Sequence, residues 1–187
     1  MLDKIDLLIL DVDGVLTDGR IIYDSRGADV KAFHVVDGQG VKYWLRVGHQ
    51  AAILSGRASR TIRIRARDIG IGAVYENAKD KLPVLEKILK RFSRTPDRAC
   101  YIGDDLLDLP VMAHVGFAAA TAGAPDEVQR MAHYVTRRPG GAGAVREVVE
   151  LILKYQGRWG QVLARYTDQL PVAWASRLGD RPRRDPE

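Results

Sequence analysis

Two aspartates stand two residues apart where the first apolar run of the chain ends. The run from Ile5 to Leu10 is typical of a short buried strand, and Asp11 and Asp13 follow it directly. Side chains two apart on a strand point the same way, so this spacing brings both carboxylates to one place. Like charges at close range oppose each other's ionisation unless a cation or a shared proton relieves them. The pair therefore predicts a functional site at which a cation or a shared proton relieves this repulsion.

Polar residues also follow two later apolar runs, 50–54 and 99–102. Ser55 follows the first run, and Asp104 and Asp105 follow the second. Ligands of open parallel sheets bind beyond the carboxyl ends of the strands, so these side chains are expected to converge. Carboxylates surrounded by oxygen ligands suit Mg²⁺. A zinc site is disfavoured, because Cys100 stands alone and the histidines show no ligand spacing: His34, His49, His114 and His133.

Ser55, Gly56 and Lys81 extend this set to one that can hold a phosphoryl group. A hydroxyl and backbone N–H groups bond its oxygens, while a lysine and a magnesium ion balance its charge. One aspartate can then attack phosphorus, since carboxylates are established nucleophiles in phosphoryl transfer. The second, Asp13, can protonate the departing alcohol and later take a proton from the hydrolytic water. The sequence therefore predicts a phosphatase site.

Strands alternate with helices along most of the chain, which favours an open parallel α/β sheet with helices on both faces. One departure is a predicted β-hairpin over about 20–36, with strands Arg20–Tyr23 and Asp29–Val36 around the turn residues 24–27. The hairpin is rich in apolar side chains, so we expect one face to be buried against the body or against another copy of the chain. Five helices are predicted. They are residues 37–47, an arginine-rich segment that ends at Gly70, a segment that begins near Lys81, a short segment that ends near residue 114, and residues 145–152.

Length and composition limit the setting of this site. The 187 residues, 46% of them hydrophobic, suit one well-cored domain over 1–166, followed by a Pro- and Arg-rich tail, 167–187, that we expect to be disordered. The net charge of +5 favours anionic ligands. A single cysteine suits a reducing cytoplasm, and the N-terminus predicts neither a signal peptide nor a spanning helix. We expect a cytoplasmic protein that binds neither membrane nor nucleic acid.

Four motifs, in this order, resemble those of the haloacid dehalogenase superfamily of phosphohydrolases: Asp11-x-Asp13-Gly14, Ser55, Lys81 and Gly103-Asp104-x-x-x-Asp108. The resemblance covers residues 5–155 and implies a Rossmann-like doubly wound sheet. It implies that Asp11 is the nucleophile and Asp13 the acid/base. It also implies that Mg²⁺ is bound by Asp11, Asp104 and the backbone carbonyl of Asp13, with Asp105 and Asp108 in support.

A narrower group of residues resembles one family within that superfamily, the 3-deoxy-D-manno-octulosonate 8-phosphate (KDO 8-phosphate) phosphatases. The matching stretches are 11–19, the hairpin with 37–40, 55–57 and 140–147. This resemblance implies a small phosphorylated sugar acid as substrate, a role in lipopolysaccharide sugar synthesis and a homotetramer. The spacings between Asp11, Ser55 and Lys81 leave no room for a cap domain. We therefore expect a large substrate or, preferably, a neighbouring subunit to cover the site.

Several basic residues could contact the phosphoryl group or the rest of the substrate. Lys79 rivals Lys81 as the phosphoryl-facing lysine, although Lys81 is favoured by its position at the helix start. Arg57 follows the strand-end serine and could bind a substrate carboxylate or phosphate, as could Arg137 and Arg146 near the glycine-rich stretch. Alternative readings are a phosphatase for a nine-carbon, sialic-acid-type sugar phosphate and a basic, non-catalytic binding module.

Overall fold

A computed structural model describes residues 1–168 and 170–171. Its strands are β1 Leu7–Leu10, β2 Ile22–Tyr23, β3 Asp29–Val30, β4 Gln50–Leu54, β5 Ala73–Tyr75, β6 Ala99–Gly103, β7 Phe117–Ala120 and β8 Tyr134–Val135. Its α-helices are α1 Val35–Arg46, α2 Arg60–Ile69, α3 Leu82–Phe92, α4 Leu109–Met112, α5 Asp126–Met131, α6 Ala144–Tyr155 and α7 Trp159–Thr167. Short 3₁₀ turns span Leu2–Lys4, Pro96–Arg98 and Leu106–Asp108.

Six strands form one parallel sheet in the order β5-β4-β1-β6-β7-β8. From β1 the chain builds outward through β4 and β5 on one side, and then returns to build β6, β7 and β8 on the other. The strand order therefore reverses at β1, and a crevice opens at its carboxyl end. This confirms the predicted doubly wound α/β fold and places the Asp11/Asp13 pair at the reversal point.

The central strand β1 is buried on both faces, as a strand covered by helices on either side must be. Leu8 and Leu10 contribute to one hydrophobic core, which also contains Trp44 of α1. Leu7 and Ile9 contribute to the second core on the opposite face. This alternation follows the two-residue period of a strand and anchors the segment that presents Asp11.

The hairpin is shorter than predicted. β2 and β3 pair antiparallel over Ile22–Tyr23 and Asp29–Val30, whereas Val35 and Val36 lie in the first turn of α1. The helix begins early because the Nδ1 atom of His34 accepts a hydrogen bond from the Val36 backbone N–H, which caps the helix. The apolar strand side chains are not buried against the body, since Ile22 is 47% and Tyr23 59% exposed.

The end of the chain was predicted to be a tail from residue 167. Thr167 instead ends α7, which packs on α6; residues 169 and 172–187 of the predicted tail lie outside the described part of the chain. Within the described residues, no helix combines the length and apolar character needed to cross a bilayer.

Candidate active site

A cleft of about 260 Å³ lies at the carboxyl ends of β1, β4 and β6. Most of the predicted site residues line it, together with two unpredicted neighbours: Asp11, Asp13, Gly19, Ser55, Gly56, Arg57, Lys81, Asp104, Asp105 and Leu107. A larger cleft of about 510 Å³ includes His49 and Arg98 in its lining. None of the four motifs contributes to that larger cleft, so the smaller cleft is the candidate active site.

Lys81 lies beneath the cleft at the start of α3, with its side chain 1% exposed. Its Nζ atom is 3.0 Å from Oδ2 of Asp11 and 2.6 Å from Oδ1 of Asp108, and it donates a hydrogen bond of 3.1 Å to the Tyr101 hydroxyl. Burial lowers the pKa of Lys81, but the two carboxylates outweigh that effect and raise it above the ordinary value. Lys79 is exposed, so of these two lysines the fold brings Lys81 to the site.

Three carboxylates meet where β1 and β6 end. One oxygen from each of Asp11, Asp104 and Asp108 lies within 4.8 Å of the others. Burial, reinforced by the neighbouring Asp108 charge, raises the pKa of Asp11 to about 6, and burial beside Asp11 and Asp108 raises that of Asp104 to about 8. The Oδ1 atom of Asp104 is buried with no hydrogen-bond partner among the described residues. An all-oxygen cluster with an unpartnered carboxylate atom fits Mg²⁺.

Asp108 supports this cluster from beneath and is itself fully buried. Its Oδ1 atom accepts hydrogen bonds from Lys81 and from the Tyr101 hydroxyl. Its Oδ2 atom accepts from the backbone N–H groups of Asp104, at 2.8 Å, and Asp105, at 3.2 Å. Oδ1 is therefore held by two buried side chains, and Oδ2 orients the loop that carries Asp104. Asp105 caps the following 3₁₀ turn. Sequence reasoning missed Tyr101.

Asp13 lies at the side of the cleft with its side chain 20% exposed. Its Oδ1 atom accepts a hydrogen bond from the Lys31 ammonium group, and its Oδ2 atom lies 3.9 Å from Nε of Arg57. Lys31 was also missed by the sequence reasoning. The two aspartates therefore have different surroundings. Asp11 lies in the carboxylate cluster beside Lys81, whereas Asp13 lies beside Lys31 and Arg57.

The glycine-rich stretch 140–143 packs against the loop that follows Asp13. Gly141 donates a backbone hydrogen bond of 2.9 Å to the Val15 carbonyl. A Cβ atom on Gly140 would stand 1.7 Å from the Gly14 carbonyl oxygen, so any side chain there would displace the loop. Asp37 holds the far end of the stretch, because its buried carboxylate accepts hydrogen bonds of 3.0 Å from the Gly143 and Arg146 N–H groups. The stretch therefore supports the site from behind.

Ser55 and Gly56 form the wall of the cleft at the end of β4. Ser55 is 1% exposed, its backbone N–H donates to the Tyr75 carbonyl and its hydroxyl oxygen accepts from the Arg57 N–H at 3.2 Å. This fixes the turn that presents the hydroxyl and the Gly56 backbone, the two groups predicted to bond phosphoryl oxygens.

The three arginines proposed for substrate binding lie in different places. Arg57 is at the cleft, where its guanidinium group donates to the Tyr23 hydroxyl at 3.2 Å. The Arg137 side chain is exposed away from the cleft lining. Arg146 is turned to α1 and α7: it pairs with Glu150 at 2.6 Å, and its guanidinium carbon lies 4.6 Å from the centre of the Tyr43 ring. Of these three arginines, only Arg57 lines the cleft in the described part of the chain.

The position of Arg57 makes a testable prediction. Arg57→Ala removes a half-exposed guanidinium group at the mouth of the cleft, so kcat/KM for a sugar-acid phosphate is expected to fall by about 10- to 100-fold, mainly through KM. Steady-state kinetics on a sugar-acid phosphate and on an aryl phosphate without a carboxylate measure this effect. An equal loss on both substrates would contradict recognition of the carboxylate.

Comparison with known proteins places this geometry in a family. A family profile described as haloacid dehalogenase-like hydrolase matches residues 54–147. The chain belongs to this family. It is 44% identical over 155 residues to the 3-deoxy-D-manno-octulosonate 8-phosphate phosphatase KdsC of Yersinia pestis, and the match covers 83% of each chain. It is 42% identical over 156 residues to the enzyme of that name from Escherichia coli K12, again over 83% of each.

Two solved phosphatase structures share the fold of this chain. The 3-deoxy-D-manno-octulosonate 8-phosphate phosphatase of Moraxella catarrhalis, solved with magnesium, phosphate and KDO, has a TM-score of 0.86 and 38% identity over 88% of this chain and 95% of that one. The cobalt-bound phosphatase of Haemophilus influenzae has a TM-score of 0.81 and 41% identity over 83% and 91%. The predicted superfamily and the predicted α/β fold are confirmed.

Proposed function

We propose that this chain is a Mg²⁺-dependent phosphatase that hydrolyses 3-deoxy-D-manno-octulosonate 8-phosphate to 3-deoxy-D-manno-octulosonate and phosphate. The names of relatives that are 42–44% identical over 83% of the chain support the substrate. The observation that carries the chemistry is the position of Asp11, which lies 3.0 Å from Lys81 in the carboxylate cluster at the reversal point of the sheet.

In the proposed mechanism Asp11 attacks phosphorus while Asp13 gives a proton to the departing sugar oxygen. The bond between phosphorus and the sugar oxygen breaks, which leaves a phosphoryl group on Asp11. Asp13 then removes a proton from water, whose oxygen attacks phosphorus and releases phosphate from Asp11. Ser55, the Gly56 N–H and Lys81 bind the phosphoryl oxygens, and Lys81 also orients Asp11.

Asp11, Asp104 and the backbone carbonyl of Asp13 would hold Mg²⁺, with Asp105 and Asp108 fixing the loop that carries Asp104. When bound, the ion supplies positive charge to the phosphoryl oxygens and lessens repulsion among the carboxylates. Burial and this repulsion raise the pKa values of Asp11 and Asp104.

Steady-state phosphate release tests the proposal on a panel of sugar-acid phosphates, neutral sugar phosphates and nucleotides, with and without Mg²⁺. The eight-carbon sugar acid is expected to give the highest kcat/KM, with turnover lost in EDTA and restored by Mg²⁺. If a nine-carbon, sialic-acid-type phosphate is hydrolysed best, the proposed substrate is wrong and the proposed mechanism stands. Metal-independent turnover would refute the mechanism, and salt-sensitive nucleic-acid binding without phosphate release would favour a binding module.

We also propose that the chain works as a homotetramer in the cytoplasm, with neighbouring subunits covering the cleft. The exposed apolar side chains of the hairpin support this: Ile21, Ile22, Tyr23 and Val30 are 40–59% exposed. Tyr23 also contacts Arg57 at the cleft, so a subunit packed on the hairpin would approach the site. A single, buried cysteine suits the reducing compartment.

Replacing Ile22 by glutamate places a charge on this apolar surface. Ile22→Glu is expected to lower the sedimenting mass from four times the 20.8 kDa of one chain, and to lower kcat/KM with it. Met131→Glu, at a side chain of α5 that is 44% exposed, is the matched control and should keep the wild-type mass. A wild-type chain that sediments as a monomer would contradict the tetramer.

A further inference from the structure

Lys31 follows the second strand of the hairpin and is buried although it is charged. Its side chain is 1% exposed, against 20% for Asp13 and 19% for Asp29. Its Nζ atom donates to Oδ1 of Asp13 and lies 3.6 Å from Oδ2 of Asp29. A buried ammonium group costs free energy unless it is paired and hydrogen-bonded, so its position is defined by these two carboxylates.

Lys31 does not belong to the surface that a substrate would touch. Asp13 lines the cleft, whereas Lys31 lies behind Asp13 and is absent from the lining. With Oδ1 of Asp13 engaged by Lys31, Oδ2 is the oxygen that lies toward Arg57 at the cleft, 3.9 Å from its Nε. The lysine therefore selects which oxygen of Asp13 faces the reacting groups.

The hairpin that carries Lys31 is tied to the rest of the site at two further points. The Asp29 carbonyl accepts a hydrogen bond of 3.2 Å from the hydroxyl of Thr61 in α2, which fixes the strand against the body. The Tyr23 hydroxyl accepts from the guanidinium group of Arg57. Movement of the hairpin would therefore move Lys31 and would alter the contact of Tyr23 with Arg57, the other basic group near Asp13.

We propose that Lys31 is the positioning residue for Asp13: its buried ammonium group holds Oδ1 and so fixes Oδ2 in line with the leaving sugar oxygen and, in the second half-reaction, with the attacking water. This inference rests on the proposed function, in which Asp13 passes the proton to the sugar oxygen and then accepts one from water. A misplacement of about 1 Å in such a group can lower the rate by about 100-fold. The hairpin is thereby a working part of the active site as well as an apolar surface.

Lys31→Met tests this by keeping the length of the side chain and removing its charge. With an alkyl phosphate, whose leaving oxygen needs a proton, kcat is expected to fall by about 10- to 100-fold at nearly constant KM. With p-nitrophenyl phosphate, whose leaving group needs none, phosphoryl transfer to Asp11 should keep its rate. Water activation is still slowed, so stopped-flow absorbance should show a burst of p-nitrophenolate of about one equivalent per site.

Two variants control for charge and surface effects. Lys31→Arg keeps a cation and should recover most of the lost kcat, and Lys87→Met, at an exposed lysine of α3, should behave as wild type. Thermal melting of each variant confirms that it is folded. Equal slowing of the burst and of alkyl phosphate turnover by Lys31→Met would overturn the inference, because a general structural defect does not distinguish leaving groups.

A double-mutant cycle isolates the route through Asp13. If Lys31 acts through Asp13, adding Lys31→Met to Asp13→Asn should lower kcat by less than about twofold beyond Asp13→Asn alone. Additive losses would overturn the inference and leave the proposed function standing, provided that Asp11→Asn is inactive. Normal turnover by Asp11→Asn would instead refute the proposed function itself.

Discussion

Asp11→Asn is expected to abolish turnover and to leave the protein folded, with a melting temperature no lower than that of the wild type measured without Mg²⁺. Asparagine keeps the shape of the side chain but lacks the carboxylate oxygen that attacks phosphorus in the proposed mechanism. Removing a nucleophile of this kind lowers kcat by about 10⁴-fold or more. Burial and the Asp108 carboxylate already raise the pKa of Asp11 to about 6, so its charge is unfavourable in the folded protein. A neutral residue relieves that cost, while Lys81 keeps its partner Asp108.

Phosphate release and thermal melting, run on the same preparations, check both halves of this result. Asp126→Asn, at an exposed aspartate that begins α5, serves as the matched control and should keep wild-type rate and stability. Turnover of Asp11→Asn within about tenfold of the wild type would contradict the nucleophile assignment. A large fall in melting temperature would show that the charge of Asp11 holds the fold together, against the direction of its pKa.

The sheet could be predicted because each buried strand carries its own local signal. β1, β4, β6 and β7 are apolar runs bounded by polar or turn-forming residues, and parallel strands of this kind need no long-range information to be recognised. The start of α1 could not be read in the same way. Val35 and Val36 are β-branched and extend a strand-like run, yet the cap from His34 and the contact of Asp37 with α6 place them in a helix. Tertiary contacts decided that boundary.

The side chains that line the cleft were predictable, whereas the residues that support them were not. Asp11, Ser55, Lys81 and Asp104 each stand at a strand end or helix start, where topology alone brings residues together. Tyr101 and Lys31 contact site residues only because of how the chain packs: Tyr101 contacts Asp108, and Lys31 contacts Asp13. A tyrosine within the apolar run of β6 was a usable signal, because a buried hydroxyl group requires a partner, which here is Asp108. Lys31 is 18 residues from Asp13, so their contact depends on the path of the hairpin.

Arg146 illustrates the limit of motif reasoning for substrate contacts. Its neighbours in the glycine-rich stretch do reach the site, since Gly141 bonds Val15. One helical turn later, however, the Arg146 side chain leaves in the direction of Tyr43 and Glu150. Sequence proximity to a site loop does not fix side-chain direction once a helix has begun, because residues on a helix point around its axis.

Lys81→Met is expected to lose turnover. In the absence of Mg²⁺ its free energy of unfolding is expected to fall by about 3–5 kcal/mol, which is the usual cost of removing one partner of a buried ion pair. Lys81 is the cation that contacts Asp11 and Asp108, and its side chain is 1% exposed. Without it, three clustered carboxylates remain in a buried site. Saturating Mg²⁺ should recover part of the stability, because an ion that binds the folded state stabilises it by mass action, but not the turnover, because the lysine also orients Asp11.

The pH dependence of stability provides a second test of the same electrostatics. The folded-state pKa values of Asp11, about 6, and Asp104, about 8, lie above the ordinary value of 3.8, so the folded protein binds more protons than the unfolded chain between those limits. These two groups therefore add stability as pH falls from about 8 towards 4, whereas burial lowers the pKa of His49 and makes that group act in the opposite direction. The test is thus the difference between variants: without Mg²⁺, the gain in stability on lowering the pH is expected to be larger for Lys81→Met than for the wild type. Urea titrations at several pH values, with and without Mg²⁺, measure it. If Lys81→Met instead loses stability relative to the wild type as the pH falls over this range, Asp11 and Asp104 are not held in the environment described, because the sign of the difference follows from their burial and mutual repulsion.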